Sequence, residues 1–380
     1  MPVDALFLYG TLRHAPLFAA VAGCPLHAQE AWLPDHAVTQ AVAANGGTLD
    51  FPLFTARPGA EARGLLIRPD PEARTRLDAY ERVFGYDPVP VIVQDAAGPV
   101  AATIYLPRGA MWTAGPDWSL EDWAASGGDL ATEVAADVMA LLDEAAPEAV
   151  LHRYGMLAIR AASRRRARSQ PAPASLRRVA RAGDVSVETL RTPYTWFFGV
   201  EEAELRFRQF GGGFSARVNR AGFIMGDAVT VLPYDPARDR VMLVEQFRFG
   251  AYARGDANPW SLEPIAGRID AGEEPEAAAR REAAEEADLA LGVLHRASSY
   301  YVSPGAVTEF LFSYVGIADL PDGIEGVSGL DSEAEDIRSH VIPFERLMAL
   351  LESGEAANGP LIISAQWLAL NRERLRAAAR

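Results

Sequence analysis

The sequence predicts a two-domain α+β protein. Three observations carry this reading. The 380 residues exceed what one hydrophobic core ordinarily organises. Short strand-like runs bounded by Gly, Pro and Asp recur in both halves, interrupted by stretches of helical periodicity. Between the halves the composition changes abruptly.

In the first half, LFLYG (6–10), GLLIRP (64–69), VPVIV (89–93) and AATIYL (101–106) read as strands. DLATEVAADVMALLDEAA (129–146) places apolar residues at helical spacing and reads as an amphipathic helix. Residues 160–181, RAASRRRARSQPAPASLRRVAR, hold eight Arg, no acid and a Pro-Ala-Pro break. That composition fits a solvated connector helix running into a turn, or an anion-binding patch. The connector is the plainer reading. The expected division is a first domain over 1–158, a basic linker over 159–182 and a second domain over 183–380. In the second half, VSVETLRT, AELRFRQF, AVTVLPYD and RVMLVEQFRF read as strands, followed by a helix over 275–287. Further strands are expected near 310–316 and 338–342, and two helices close the chain. This alternation gives a mixed α/β core. The two halves share no repeat period.

A 49% share of hydrophobic residues is enough for two ordinary cores. The net charge of −15 disfavours general binding to nucleic acid or an anionic membrane, although local metal or arginine can reverse the sign at a phosphate site. Every basic residue other than His is Arg. The single cysteine, Cys24, excludes an intramolecular disulfide and a cysteine metal site. No apolar run approaches the roughly 18 residues of a membrane span, and MPVDALFLYGTL lacks a basic leader. A soluble, cytoplasmic protein is expected.

Residues 267–289 read GRIDAGEEPEAAARREAAEEADL. Pro275 starts the helical run and Glu276 lies in its first turn, as helix starts prefer. Glu282 and Glu286 are four apart and Glu285 is three from Glu282, so the three share one face. Like charges at that spacing repel, and a divalent cation removes the repulsion. Grouped hard oxygens suit Mg2+ or Mn2+, with substrate phosphates completing the shell. Gly267 and Gly272 allow the preceding loop to approach a ligand closely, and Ala266 offers its carbonyl as another oxygen. A charged surface helix with Arg–Glu pairs is the bland alternative.

The segment resembles the Nudix box, G-x5-E-x7-R-E-U-x-E-E-x-G-U with U a bulky apolar residue. Gly267, Glu273, Arg281, Glu282, Glu285, Glu286 and Leu289 match it. Two positions depart: Ala283 is small where a larger apolar residue is usual, and Asp288 replaces a helix-ending glycine. Asp tolerates the left-handed conformation, so the cap is expected to survive. The resemblance implies an α/β/α sandwich with a mixed sheet. It also implies metal ligation by Glu282 and Glu286 with support from Glu285, and an Arg281–Glu273 pair holding loop against helix. The chemistry implied is attack of water on a pyrophosphate phosphorus.

The flanks VEQFRFGAY (244–252), PWSLEPIAGRIDAGE (259–273), SPGAVTEFLF (303–312) and GLDSEAEDIRSHVIPFE (329–345) resemble ADP-ribose pyrophosphatases in order and spacing. Pro304, 15 residues beyond Leu289, stands at an offset that marks the ADP-ribose type. The resemblance implies that Glu333 is the catalytic base and Glu335 a further metal ligand, with the exchange of those two roles left open. It gives Arg248 a phosphate or terminal ribose, and Glu263 the nucleoside part. A structural ion pair is the alternative for both. Such enzymes split ADP-ribose into AMP and ribose 5-phosphate, relatives accept other ADP-sugars or GDP-mannose, and they are typically homodimers through the Nudix domain.

LFLYGTLR (6–13) is a strand running into a Gly turn whose amides can cradle a carboxylate. A plain hairpin is the alternative. Together with GLLIRPDPEARTRLDAYERVFGYDPVPVIV (64–93) it resembles the γ-glutamylcyclotransferase-like fold, a small β-barrel with flanking helices. The resemblance implies that Tyr9, Gly10, Thr11 and Leu12 hold a γ-glutamyl group. Glu81, in the motif with Leu77 and Asp78 and followed by Tyr86, would take a proton from its α-amine. Catalytic work of this kind needs burial to raise the carboxyl pKa.

The fusion also resembles proteins associated with tellurite resistance. Three functions are therefore expected in order: a Mg2+-dependent nucleoside-diphosphate-sugar pyrophosphatase, most of all for ADP-ribose; a γ-glutamyl cyclotransferase; and a nucleotide-sensing module without turnover.

Overall fold

The structure, a computed structural model, describes residues 5–44, 46–109, 112–329 and 335–379. Two compact units divide between Ala161 and Ala162.

In the first unit, β1 (Leu6–Leu8), β2 (Gln29–Val42), β3 (Thr48–Ile67), β4 (Tyr86–Asp95), β5 (Gly98–Pro107) and β6 (Thr113–Asp117) form one sheet in the order β3-β1-β5-β4-β2-β6. A long β2–β3 pairing closes five of these strands into a barrel, with β6 added on β2. β1 runs parallel to β5 and antiparallel to β3. Strand alternation divides the side chains between two cores. Phe7 and Tyr9 pack with Leu33, Val93 and Ile104 in one, whereas Leu6 and Leu8 join the helices in the other. Those helices are α1 (Ala15–Ala22), α2 (Pro71–Val83), α3 (Leu120–Trp123), α4 (Asp129–Leu142), α5 (Pro147–Leu151) and α6 (Tyr154–Ser169), whose last residues pass into the second unit. The start of α2 is set locally. Pro71 opens it, and Asp70 Oδ1 accepts the Ala73 N–H at 2.8 Å. Ala73, Leu77, Tyr80 and Val83 then recur on its buried face.

In the second unit, β7 (Val185–Thr195), β8 (Gly199–Phe207) and β9 (Val218–Ile224) form an antiparallel sheet. The remaining strands are β10 (Ala228–Asp235), β11 (Arg240–Phe247), β12 (Trp260–Glu263), β13 (Ile265–Arg268), β14 (Leu294–Tyr301), β15 (Phe310–Ile317), β16 (Val327–Ser328) and β17 (Ile337–Pro343). They form a mixed sheet with the path β14-β15-β10-β11-β17-β16, with β12 on β11 and β13 on β10. Among the described residues, only the β10–β15 pairing in it is parallel. Alternation along β11 again assigns the faces. Met242 and Val244 pack under α8 (Pro275–Ala287), while Val241 and Leu243 pack under α9 (Phe344–Ser353) and α10 (Gly359–Ala378). A short α7 (Phe249–Arg254) follows β11. The first unit is the expected barrel with its helices, and the second is the expected α/β/α sandwich.

The first half of the basic stretch is helical, as part of α6, and residues 170–184 contain no helix or strand. β8 and β11 both stop at Phe207 and Phe247, short of the expected strand ends. Among the described residues, no helix is long and apolar enough to cross a membrane.

Candidate active site

β13 delivers the chain into the loop 269–274, and α8 follows at Pro275. The Glu282 carboxylate lies directly over Gly267. A Cβ there would stand 1.8 Å from Glu282 Oε1, so any larger residue would displace the carboxylate. The Ala266 N–H donates to Glu286 Oε2 at 3.1 Å, and this neighbour of Gly267 thereby fixes the second carboxylate. Asp288 adopts φ 47°, ψ 39°, the left-handed conformation that usually falls to glycine. Its N–H bonds Ala284 O at 3.1 Å, and Leu289 N–H bonds Ala283 O at 3.0 Å. The helix end therefore survives the departure from the motif. Ala283 is fully buried and, with Ala278, Ala279 and Ala287, forms the flat face by which α8 meets the sheet.

Arg281 is the knot of the loop. Its Nε and Nη2 donate to both Glu273 carboxylate oxygens at 3.1 and 3.0 Å, and Nη2 also reaches Arg268 O at 2.9 Å. Nη1 donates to Glu282 Oε1 at 2.8 Å and to Glu285 Oε2 at 2.9 Å. Burial pushes the Glu273 carboxyl up. Arg281 and the Asp270 N–H outweigh it and hold the group below its usual range.

Glu286 is 2% exposed and is pushed up to about 8. Burial is the main cause and the charges of Glu282 and Glu335 add to it, against the Ala266 N–H and Arg248. Glu282 is pushed up to about 7, again chiefly by burial, with Arg281 opposing and Glu285 and Glu335 adding. Burial thus outweighs the nearby arginines at both carboxylates. That is the electrostatic condition a hard divalent cation relieves, and the donors are all oxygen. Among the described residues no three His, Cys, Asp or Glu side chains already converge as a metal cage. Glu335 belongs to the same electrostatic neighbourhood. Glu333 lies outside the described residues.

Arg248 and Glu263 hold each other. Nε donates to Oε1 at 3.0 Å and Nη2 to Oε2 at 2.6 Å, with Glu263 4% exposed. The fork geometry is the bidentate one. Pro304 sits in an exposed turn between β14 and β15, and its loop is tied to β9 through Phe223 N–H to Ala306 O at 2.7 Å. Glu309, in the same loop, carries no sequence signal of its own. Burial raises its carboxyl, and Arg268 and Arg248 oppose the rise.

In the first unit, Tyr9 Oη donates to Tyr105 O at 3.1 Å, and Tyr105 Oη donates to Asp78 Oδ1 at 2.6 Å. Arg74 Nε also donates to that oxygen, at 2.9 Å. Gly10 precedes a short turn over Thr11–Arg13 and accepts the Arg13 N–H at 3.1 Å. A Cβ on Gly10 would press Pro52 Cγ at 2.8 Å. Thr11 is partly covered and Leu12 is buried in the helix-side core. Burial, then the Asp78 charge, pushes Glu81 up to about 8. Tyr9, Tyr80, Tyr86 and Tyr105 are raised mainly by burial, and Glu81 contributes to each shift.

A pH signature follows from Glu81. Below its ordinary value of 4.5 the acid is neutral in both folded and unfolded chains. Between 4.5 and about 8 only the unfolded chain ionises, so stability declines through that window. Glu81→Gln stays neutral throughout. Denaturant unfolding should show it level with wild type near about pH 4 and more stable near about pH 9. Parallel pH profiles for the two proteins would contradict the shift.

Comparison with known proteins agrees with both halves of this description. Residues 225–364 match the NUDIX domain family, and residues 6–125 match the family described as gamma-glutamyl cyclotransferase, AIG2-like. The ADP-ribose pyrophosphatase of Escherichia coli (strain K12) is 39% identical over 193 residues, 51% of this chain and 91% of that protein. The ADP-ribose pyrophosphatase of Haemophilus influenzae is 37% identical over 194 residues, 50% of this chain and 89% of that protein. The GDP-mannose pyrophosphatase of Enterobacter sp. (strain 638) is 32% identical over 155 residues, 41% and 80% of the two chains. A solved structure described as an ADP compounds hydrolase aligns with 53% of this chain and all of its own length, at 21% identity and a TM-score of 0.41. The box loop knotted by Arg281, the carboxylate face of α8 and the extent of the shared sequence lead to one assignment: the chain belongs to the Nudix hydrolase family and carries an AIG2-like γ-glutamyl cyclotransferase domain ahead of its Nudix domain.

Proposed function

We propose that the Nudix domain hydrolyses the pyrophosphate of ADP-ribose, or of a closely related nucleoside diphosphate sugar, to AMP and a sugar phosphate in the presence of Mg2+ or Mn2+. The observation that carries this reading is the pair of buried carboxylates on one face of α8, Glu282 and Glu286, held over Gly267 and Ala266. The names of the relatives support the substrate class. Glu282 and Glu286, with Glu335 and the Ala266 carbonyl, are the residues that would hold the metal. A bound divalent ion supplies charge neutralisation at the phosphates and a more acidic water. Arg281 and Glu273 keep the loop closed against α8, and Glu285 shares the Arg281 guanidinium. Glu333 is the proposed base that takes the proton of the attacking water. Arg248 is proposed to meet phosphate or terminal ribose, oriented by Glu263, with Pro304 shaping the loop on the substrate side.

Incubation of the purified protein with ADP-ribose and Mg2+, with and without chelator, tests this by AMP release. Chelator-sensitive AMP is the expected result. The absence of AMP, with ADP-glucose, ADP-mannose and GDP-mannose also untouched, would sink the substrate reading.

Glu81 favours a second activity in the other domain. A carboxyl raised to about 8 is a stronger base than an ordinary carboxylate, and its ionised form would accept a proton from an α-amine. The freed amine would then attack the γ-carbonyl of a γ-glutamyl group held at Tyr9–Leu12, expelling the amine previously bound there.

The same Nudix unit is proposed to pair with a second copy. β7 and the turn after it expose Val185, Val187, Leu190, Tyr194, Trp196 and Phe197. So much exposed apolar surface marks an interaction face. Light scattering should give a dimer, and Leu190→Asp should shift it to monomer. A monomeric wild type at micromolar concentration would end this proposal.

A further inference from the structure

We propose that Arg166 is a positioning residue for the metal-binding loop of the Nudix domain. This inference rests on the metal reading given above. Arg166 belongs to the last two turns of α6 and lies outside both matched segments, 6–125 and 225–364. It stands in the basic stretch whose composition alone reads as a solvated connector.

Its side chain is only 16% exposed. Nη1 donates to Asp227 Oδ2 at 2.5 Å, and Nη2 reaches Glu273 O at 3.4 Å. Asp227, 4% exposed at the foot of β10, also accepts Ser163 Oγ at 2.6 Å. Its backbone oxygen accepts the Ile269 N–H at 3.1 Å. Asp227 thus grips the first residue of the box loop through its backbone and α6 through its carboxylate. Arg166 closes the circuit by grasping the other end of the loop at Glu273. The Glu273 carboxylate in turn anchors Arg281, which holds Glu282 and Glu285. The whole path runs through hydrogen-bonded neighbours. A planar guanidinium is needed because its separate amines reach two acceptors at once, whereas an ammonium is a single point charge. Groups that orient metal ligands from outside commonly set metal affinity.

The test is calorimetric titration of Mn2+ into the full chain, for wild type, Arg166→Gln, Arg166→Lys and Ser163→Ala, each with a melting curve. Arg166→Lys keeps a cation beside Asp227, so it holds the fold if the uncharged variant does not. Both Arg166 variants should weaken Mn2+ by about tenfold or more. Ser163→Ala removes a bond to the same Asp227 without touching the loop, and should bind Mn2+ as wild type does. A merely structural role would lower melting temperatures and leave every Mn2+ affinity alike, which overturns the inference. So does a Ser163→Ala loss equal to that of Arg166→Lys. Wild type that binds no Mn2+ removes the metal reading and this inference with it.

Discussion

Glu286→Gln should reduce metal-dependent AMP release from ADP-ribose by about 10³-fold, several kcal/mol of charge stabilisation at about 1.36 kcal/mol per tenfold. The substitution is nearly isosteric, so the amide oxygen can still accept the Ala266 N–H that now meets Glu286 Oε2. What it removes is the negative charge. The fold should not suffer. Glu286 is 2% exposed and its ionised form is costly to bury without a cation. Two thermal measurements separate this account from simple misfolding. In chelator at neutral or higher pH the variant should melt no lower than wild type. On adding Mg2+ the wild type should gain stability by linkage, and the variant should gain little. A variant with wild-type turnover, or a wild type whose melting ignores the metal, would remove Glu286 from the site.

Gly267→Ala is the second large effect, and it works through geometry alone. The new methyl would lie 1.8 Å from Glu282 Oε1 and 1.9 Å from its Cδ. These atoms are the end of a flexible side chain, so the carboxylate swings aside and the backbone stays. Swinging breaks the Arg281 Nη1–Glu282 bond of 2.8 Å and moves the oxygen by at least an ångström. Misplacement on that scale costs about 10²-fold in turnover. Stability should fall by only about 1 kcal/mol, the worth of one hydrogen bond. Steady-state kinetics beside a denaturant curve would decide it. A loss of stability as severe as the loss of activity would mean that the strand itself had moved.

The elements visible in the sequence are those whose determinants are local. The bounds of α8 were legible because Pro275 opens the helix and the acids repeat at helical spacing. β10 and β11 were legible as apolar runs, although β11 ends at Phe247 because Arg248 turns into α7. β2 was not, because it carries polar residues, Pro34 and a register break where Asp35 takes φ 58°. β9 and β14 are half-covered strands with weak alternation, and only their partners make them strands. In the site, the Arg281–Glu273 pair was legible through the motif. The Arg248–Glu263 clamp was open in sequence to either a ligand or an ion-pair reading, and the fold joins the two residues to each other. Arg166 and Asp227 are 61 residues apart, and no local pattern couples them. The displaced pKa values of Glu81, Glu282 and Glu286 arise from burial first, a property that exists only after folding.

Asp288 shows what kind of rule a family signature encodes. At φ 47°, ψ 39° it performs with a side chain the reversal that glycine performs without one. The constraint at that position is therefore on two torsion angles, and chemical identity is free within whatever can reach them. Gly, Asn and Asp can interchange there as synonyms, at a cost of about 1–2 kcal/mol for carrying a Cβ. A β-branched residue lies outside that vocabulary: it would unwind the last turn of α8 and withdraw Leu289, 4% exposed, from its seat under the sheet. Divergence among such chains should thus be read at this site in steric units, and a substitution that looks like loss of the signature is silent so long as the backbone can still turn left.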